Sequence, residues 1–172
     1  VTTQQDVIDL INNINRSENL LTQPTFNDGI GTWQVSVSSY IKKDTTHVRE
    51  VDGVTSEGVK FNYTGTSNAL ALWSNDWTIE KLIANAKCTA KAHVYFEDTS
   101  TLTGDMALKI YGNVGETLTL ISEKAFTSSD FVANKWNEIS MEFTTTQNYD
   151  NPRYQITCSK GCVAWVTDCA VY

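Results

Sequence analysis

The sequence predicts an all-β fold, an antiparallel β-sandwich preceded by a short N-terminal α-helix. From residue 32 onward, apolar and polar residues alternate with the period of two that is typical of half-buried strands. Clusters of Gly, Asn, Asp and Ser separate the alternating runs, whereas the spacing of a helix is found in the first 18 residues. We therefore expect about eight to ten short strands in two packed sheets.

Residues 1–18 are predicted to form an amphipathic helix. Its apolar residues recur at spacings of three and four: Val7, Leu10, Ile11 and Ile14. Thr2 and Gln5 offer a capping box at its start. A helix of about fourteen residues is marginal alone in water, so its apolar face must pack on something. Either it covers an edge of its own domain, or it is the end of a coiled coil that holds a dimer or trimer together.

The strands are predicted from runs that follow in chain order. The clearest alternation is found at residues 33–37, 88–96, 106–111 and 138–143. Residues 69–73 form a further run that ends at Ser74-Asn75-Asp76, and residues 78–86 show helical spacing, which predicts a short helix or turn between two strands. Turns are expected at residues 52–53, 65–68, 103–105, 112–113, 148–152 and 159–161.

Composition limits the class of protein. At 172 residues the chain has the length of one domain with a full core. Its formal net charge of -7 argues against a nucleic acid or an anionic membrane as partner, because no basic field is available for phosphates. No apolar run approaches the roughly 18 residues of a membrane span. The residues after Val1 do not form the positively charged and then apolar stretch of a signal peptide. A signal peptide is therefore expected to be absent or removed, and the chain could be a part of a longer one.

The four cysteines give no clear metal site. Cys158 and Cys162 flank Ser159-Lys160-Gly161, a tight turn, while Cys88 and Cys169 stand apart. A C-x3-C pair without a nearby His is a poor zinc pattern. Two alternatives stay open, a disulfide across the turn between Cys158 and Cys162 or free buried thiols.

Catalysis is not expected. The chain has two histidines, His47 and His93, and the sequence contains no G-x-S-x-G, no H-E-x-x-H and no phosphate-binding loop. Its carboxylates, such as Glu138 and Glu142, fall on the solvent side of predicted strands. The chain is therefore predicted not to be an enzyme.

A binding surface is better supported by the alternation. If Ala92, Val94 and Phe96 face the core, His93 and Tyr95 face outward. By the same rule Lys109 and Tyr111 face outward, on what we expect to be a neighbouring strand. A face with aromatic and polar groups suits a sugar, which stacks on rings and hydrogen-bonds through its hydroxyls. The alternative is that these side chains only stabilise cross-strand pairs or lie in an oligomer interface.

The segment Asn19-Leu20-Leu21-Thr22-Gln23-Pro24-Thr25-Phe26-Asn27-Asp28-Gly29-Ile30-Gly31-Thr32-Trp33 adds a family resemblance. It is similar to the opening signature of carbohydrate-binding jelly-roll modules of the xylan- and β-glucan-binding type. Residues 58–66, 136–144 and 164–172 resemble later strands of the same family in order and spacing, so the resemblance covers about residues 19–172. It implies a jelly-roll sandwich that binds a glycan on its concave sheet without cleaving it.

The resemblance also divides the tryptophans. Trp33 and Trp136 match rings that are structural in the family, and Trp165 lies in the apolar last strand, so these three are expected in or near the core. Trp73 precedes a turn that could leave its ring at the edge of the groove. We therefore add Trp73 to His93, Tyr95, Lys109 and Tyr111 as predicted ligand-binding residues.

A structural calcium is a further implication of the resemblance. The family often holds Ca²⁺ beside its first and last strands, and the matching positions here are Asn27 and Asp168, with Glu57 as a possible third ligand. Oxygen ligands select hard cations such as Ca²⁺. Because Asn27 replaces the usual Glu, the site loses one negative charge, which leaves calcium binding open.

The predicted helix directly before the module resembles the architecture of phage fibre and tail-appendage proteins, whose terminal domains recognise bacterial surface glycans. This implies a virion protein, with a homotrimer held by residues 1–18 and a glycan-binding domain at residues 19–172. The alternatives are an accessory module of a secreted polysaccharide-degrading enzyme, and a structural virion domain that binds no sugar.

Overall fold

The computed structural model describes residues 2–8 and 18–172, and it confirms the antiparallel β-sandwich. The described part of the chain contains eleven strands: β1 (Gln34–Val35), β2 (Ile41–Val51), β3 (Val54–Tyr63), β4 (Leu70–Ser74), β5 (Lys81–Leu82), β6 (Lys87–Tyr95), β7 (Met106–Val114), β8 (Thr117–Phe126), β9 (Trp136–Thr144), β10 (Tyr149–Cys158) and β11 (Cys162–Val171). Short 3₁₀ turns are formed by Thr99–Thr101 and Ser128–Asp130.

The strands form two sheets. One sheet has six strands in the order β1-β4-β10-β7-β8, with β5 paired to β10, and the other has five in the order β2-β3-β11-β6-β9. The connections from β6 to β7 and from β10 to β11 pass from one sheet to the other. The two strands of each of these pairs therefore lie on opposite sides of the sandwich.

The core lies between the two sheets and is built by alternation. In β4, β6, β7 and β10, buried residues alternate with half-exposed ones along most of each strand. The largest fully buried side chains are Trp165, Tyr154, Phe26, Phe61, Phe96, Ile41, Leu70, Leu72, Met106, Leu108, Ile110 and Ile156. Burying apolar area of this kind is the main favourable contribution to folding.

Aromatic side chains attach the opening segment to this core. Phe26 and Trp33 are buried, with ring centroids 5.2 Å apart. The Trp33 indole donates a 2.8 Å hydrogen bond to the carbonyl of Gln23 and meets the Tyr154 ring edge-on at 5.7 Å. Tyr154 in turn donates from its hydroxyl to the carbonyl of Lys91 at 2.6 Å, which joins the six-stranded sheet to the five-stranded one.

Two of the expected turns, at residues 112–113 and 148–152, differ in the structure, where residues 149–152 begin β10. Asp52 and Gly53 form the predicted turn, with φ of 52° and 79°, the pair of positive values that a type I′ hairpin requires. Gly112, however, lies inside β7, at a position that requires glycine because an added Cβ would lie 2.5 Å from the Tyr149 Cβ. The hairpin from β7 to β8 turns at residues 115–116 instead. Residues 78–86 contain the short strand β5 and turns, and no helix.

The N-terminal helix is described over residues 4–8. Its capping box is formed by Thr3 and Asp6, each accepting from the backbone N–H of the other at 3.1 and 2.9 Å, and not by Thr2 and Gln5. Val7 is 44% exposed. Leu10, Ile11 and Ile14, which define the predicted apolar face, lie outside the described residues.

The four cysteines are all buried, and no disulfide joins any two of them. Cys158 ends β10 and Cys162 begins β11, so the turn between them connects the two sheets and is not a hairpin within one sheet. Burial, together with the neighbouring Cys162, raises the pKa of the Cys158 thiol well above its ordinary value. Of the two alternatives left open, the structure shows free thiols. In the described residues there is also no helix with the length and apolarity to cross a membrane.

Candidate functional site

The outer face of the six-stranded sheet carries a row of polar and aromatic side chains in register. Trp73 on β4 lies opposite Gln155 on β10, which lies opposite Lys109 on β7, which lies opposite Glu123 on β8. Gln34 on β1 extends the row beside Trp73. Side chains directly opposite each other on neighbouring strands lie close together on one face. The row therefore forms a continuous polar strip across the sheet, with a tryptophan near one end.

A second row on this face is made of small side chains. Ala71, Thr157, Ala107 and Ala125 lie opposite one another on the same four strands. Because this row is lower than the one beside it, the face has a groove of about 480 Å³, which Lys109 and Glu123 border. This volume falls within the range of small-molecule sites.

A third pair lies on the other side of the polar row. Arg153 on β10 faces Tyr111 on β7, and the Arg153 guanidinium carbon is 5.3 Å from the centre of the Trp73 ring. A β-bulge between Asp150 and Arg153 precedes this pair. The bulge changes the register at the point where Arg153 enters the face, and bulges commonly redirect side chains next to functional sites.

The charged groups of this face are loosely held. Lys109 Nζ lies 3.9 Å from Glu123 Oε2, at the outer limit of an ion pair, and both side chains are partly exposed. The Gln155 amide donates to the Thr157 hydroxyl at 2.8 Å and keeps its own oxygen as an acceptor. The face thus offers a flat ring for stacking and ammonium, amide and carboxylate groups for hydrogen bonds.

The structure separates the five predicted ligand-binding residues. Trp73, Lys109 and Tyr111 lie on the face just described, whereas His93 and Tyr95 on β6 lie on the outer face of the five-stranded sheet. The expectation that β6 and β7 are neighbouring strands is wrong, because the chain changes sheets between them. Alternation fixes which side of its own sheet a residue faces but not which sheet its strand joins.

On the five-stranded sheet, Tyr95 belongs to a packed aromatic cluster. His47 stacks on Tyr95 at 4.0 Å and meets Trp165 edge-on at 4.5 Å, and Trp136 lies 5.5 Å from Tyr95. The β2 segment that contributes His47 covers this face, because the pairing of β2 with β3 is interrupted between Asp44 and Arg49. Trp165 is consequently 1% exposed although it lies outside the core between the sheets. Trp136 is half-exposed, and it also belongs to this cluster and not to the core.

His93 lies in a different part of the same face. Its ring contacts the Asp168 carbonyl at 3.3 Å and the Glu138 carboxylate at 3.4 Å. Burial and the positive charge of Arg49 lower the pKa of His93, while the Asp168 carbonyl and the two carboxylates oppose the shift. His93 is therefore a packed ring whose polar contacts are made inside the protein, and its lowered pKa favours the neutral form.

The three predicted calcium ligands do not form one cluster. Ser56 and Glu57 are consecutive in β3, so their side chains point to opposite faces of the sheet. The Asp168 carboxylate accepts a 2.7 Å hydrogen bond from Ser56, which places it on the face opposite Glu57. Within the described residues there is no group of three or more acidic, His or Cys side chains that could hold a metal ion.

Basic side chains already engage these oxygen atoms. Lys43 Nζ lies 2.7 Å from the Glu57 carboxylate and 2.8 Å from the Asn27 carbonyl oxygen. The Asn27 side-chain amide donates a hydrogen bond to the Thr55 carbonyl and accepts one from the backbone N–H of Glu57. Arg49 Nη1 lies 2.6 Å from Asp168 Oδ2. In this arrangement the residues present do not fit a calcium ion, because an ammonium and a guanidinium group neutralise the carboxylates instead.

Comparisons with known proteins give a fold and no family. No protein-family model and no curated protein sequence matches the chain. Among solved structures, the chain is similar to an arabinose-bound α-L-arabinofuranosidase, with a TM-score of 0.68 and 13% identity over 90% of this chain. It is also similar to the enzymatically active domain of tailspike protein 4 of bacteriophage CBA120, with a TM-score of 0.62 and 8% identity over 89% of this chain.

A third similar structure is a single module. The C-terminal family 22 carbohydrate-binding module of Clostridium thermocellum Xyn10B superimposes with a TM-score of 0.53 at 14% identity, over 89% of this chain and 92% of that one. In contrast, the chain spans 26% of the arabinofuranosidase structure and 21% of the tailspike structure. At these identities the comparisons establish the β-sandwich fold that such modules share.

Sequence reasoning missed three residues of the site: Glu123, Arg153 and Gln155. The signal was present in residues 153–158, where Arg, Gln and Thr alternate with Tyr, Ile and Cys. Only the registers of β10 with β4 and β7 show that these polar positions align with Trp73, Lys109 and Tyr111.

Proposed function

We propose that this chain is a non-catalytic carbohydrate-binding domain whose ligand lies along the outer face of the six-stranded sheet. The observation that carries the proposal is the continuous row Trp73, Gln155, Lys109 and Glu123 beside a groove of about 480 Å³. An indole face stacks on the C–H face of a sugar ring, and the polar side chains in the same row can bond its hydroxyls.

Two of the similar structures support this proposal because they are described as carbohydrate-binding or sugar-bound. One is a family 22 carbohydrate-binding module that matches 89% of this chain, and another is an arabinose-bound enzyme of which this chain matches 26%. The proposal gives this chain a sugar-binding role without cleavage, because the similar structure that it covers almost completely is a carbohydrate-binding module.

The proposal is tested by affinity electrophoresis and a glycan array with the purified chain. Trp73→Ala is expected to weaken binding by roughly tenfold or more, because it removes the stacking ring. Trp136→Ala is the matched control, since Trp136 lies on the opposite side of the sandwich. Equal loss of binding in both variants, measured where both are folded, or no loss in Trp73→Ala, contradicts the proposed face.

We further propose that the domain belongs to a phage fibre or tail appendage, displayed on an oligomeric helical stalk and located in the virion. The similarity to a part of a phage tailspike structure and the capped helix at residues 4–8 support this setting. The alternative is an accessory module of a secreted enzyme. Binding to whole bacterial cells but not to xylan or β-glucan favours the virion, and the reverse favours the enzyme module.

A further inference from the structure

Arg153 is an arginine without an anionic partner. Of the two arginines that the structure describes, Arg49 is ion-paired with Asp168 at 2.6 Å. The Arg153 side chain makes no ion pair or hydrogen bond with any described residue, and its Nε atom is buried without a hydrogen-bond partner. Buried donors are nearly always satisfied in native proteins, so an unsatisfied one at a binding face calls for an explanation.

The contact with Trp73 holds Arg153 without using its donors. The guanidinium carbon lies over the indole at 5.3 Å from the ring centre, a cation–π contact that involves no hydrogen bond from the guanidinium. Of the guanidinium nitrogens only Nε is buried without a partner, so the N–H groups of Nη1 and Nη2 stay available for a ligand. Arg153 is thus oriented by a ring that the proposed function assigns to sugar stacking.

A second cationic side chain lies near Arg153, although the chain carries a net charge of -7. Lys109 is on the neighbouring strand β7, two residues before Tyr111, the residue opposite Arg153. Asp150, three residues before Arg153 in β10, is already paired with Lys81 at 3.5 Å. The carboxylate of the polar row, Glu123, is on β8, two strands away from β10. At about 4.8 Å per strand this is a separation of roughly 10 Å, about one Debye length at ordinary salt.

We propose that Arg153 binds the carboxylate of an acidic sugar, so that the ligand of this face is a glycan containing uronic acid or another carboxylated residue. A guanidinium binds a carboxylate through two parallel N–H···O bonds, a geometry that a neutral hydroxyl does not match. In this arrangement Trp73 and Tyr111 contact the sugar rings on either side. The inference rests on the proposed carbohydrate-binding function and adds the chemical class of the ligand.

The test compares one polysaccharide in two forms. Binding of the full chain is measured by calorimetry and on a glycan array against polyuronates and against the same polymers with their carboxylates reduced to alcohols. The carboxylated forms are expected to bind roughly tenfold tighter or more, as charge-assisted hydrogen bonds provide. Arg153→Met should abolish this preference, while Lys42→Met, which removes one positive charge from the five-stranded sheet, should retain it.

A second measurement keeps folding separate from binding. Because Arg153→Met removes a buried unsatisfied donor and keeps much of the side-chain volume, its melting temperature should be equal to that of the wild type or higher. In NMR spectra of the wild type, glucuronate should shift the Arg153 Nε–H resonance and glucose should not.

The results of these experiments distinguish failure of the acidic-sugar inference from failure of the proposed function. Trp73-dependent binding of neutral glycans without any preference for carboxylated ones overturns the acidic-sugar inference and leaves the proposed function in place. Equal binding of sulfated and carboxylated polymers also overturns it, since that reports charge attraction alone. Binding of no glycan on the array overturns both the inference and the proposed function.

Discussion

The Arg49 guanidinium and the Asp168 carboxylate lie 2.6 Å apart, at the position where the family resemblance implied calcium. Asp168 has a positive φ of 48° and also accepts from the Ser56 hydroxyl at 2.7 Å. The last strand is therefore attached to β2 and β3 through side chains of the protein itself. Lys43 and Glu57 form an equivalent pair at 2.7 Å on the other face of β3.

These two pairs predict that stability does not depend on calcium. A cation bound only to the native state raises stability by mass action. Here basic side chains hold the oxygen ligands, so millimolar CaCl₂ and EDTA should leave the melting temperature unchanged within about 1 °C. Differential scanning calorimetry at constant ionic strength is the measurement. A calcium-dependent rise of several degrees that magnesium does not reproduce would show that the family's ion site has survived.

Tyr95 and Tyr111 should respond to truncation in opposite ways. Tyr95→Ala removes the ring that contacts His47 and Trp136, so we expect a loss of roughly 1 to 3 kcal/mol in the free energy of unfolding with glycan affinity retained. Tyr111→Ala removes a half-exposed ring of the proposed binding face, so it should weaken glycan binding with little change in stability. Urea unfolding and affinity electrophoresis on both variants give the comparison. Reduced affinity in folded Tyr95→Ala would move the ligand to the five-stranded sheet.

The hydroxyl of Tyr154 predicts a measurable link between the two sheets. Tyr154→Phe removes the 2.6 Å hydrogen bond to the Lys91 carbonyl and should lower the free energy of unfolding by about 1 to 2 kcal/mol. Tyr111→Phe is the control, because it deletes a half-exposed hydroxyl and should cost almost nothing. Chemical denaturation of both variants at one temperature measures the difference. Equal stability of the two variants would mean that the buried bond contributes no more than a solvated hydroxyl.

Asp44 predicts a pH dependence of stability. Burial opposes its ionisation, but hydrogen bonds from Thr46 and the Trp165 indole and the charge of Lys60 outweigh burial, and its pKa falls from 3.8 to about 2. A carboxyl whose pKa is lower in the folded state stabilises the fold above its unfolded pKa and loses this contribution as pH falls through the folded one. The difference in the free energy of unfolding between wild type and Asp44→Asn should thus be largest above about pH 4 and decrease toward pH 2. A gap that stays constant from pH 5 to pH 2 contradicts the assignment.

The N-terminal segment predicts the oligomeric state. The apolar spacing in residues 1–18 fits either a coiled coil or a cover for the domain's own edge; on the proposed oligomeric stalk, the full chain should form a dimer or trimer. A chain that begins at Ser17 should then be a monomer with an unchanged far-ultraviolet spectrum of its strands. Light scattering coupled to gel filtration measures both masses. Identical masses for the two chains would leave the helix as a cover for its own domain.

The sequence alone determined the fold class and the direction of most side chains. Alternation at residues 88–96 and 106–111 is a local property of the strand, since successive side chains point to opposite faces, and the structure reproduces it. Trp33 was likewise expected in the core from the family resemblance, and it is buried there.

Only the tertiary structure decided which strands share a sheet. His93 and Lys109 both face outward, yet they lie on opposite sides of the sandwich because the chain changes sheets between β6 and β7. The alignment of Arg153 with Tyr111 and Trp73 depends on the registers of β10 with two strands far away in the sequence. The pairing of Arg49 with Asp168 spans 119 residues. Pairing partners, registers and salt bridges between distant residues depend on how the whole core packs, and periodicity within a single strand carries no information about them.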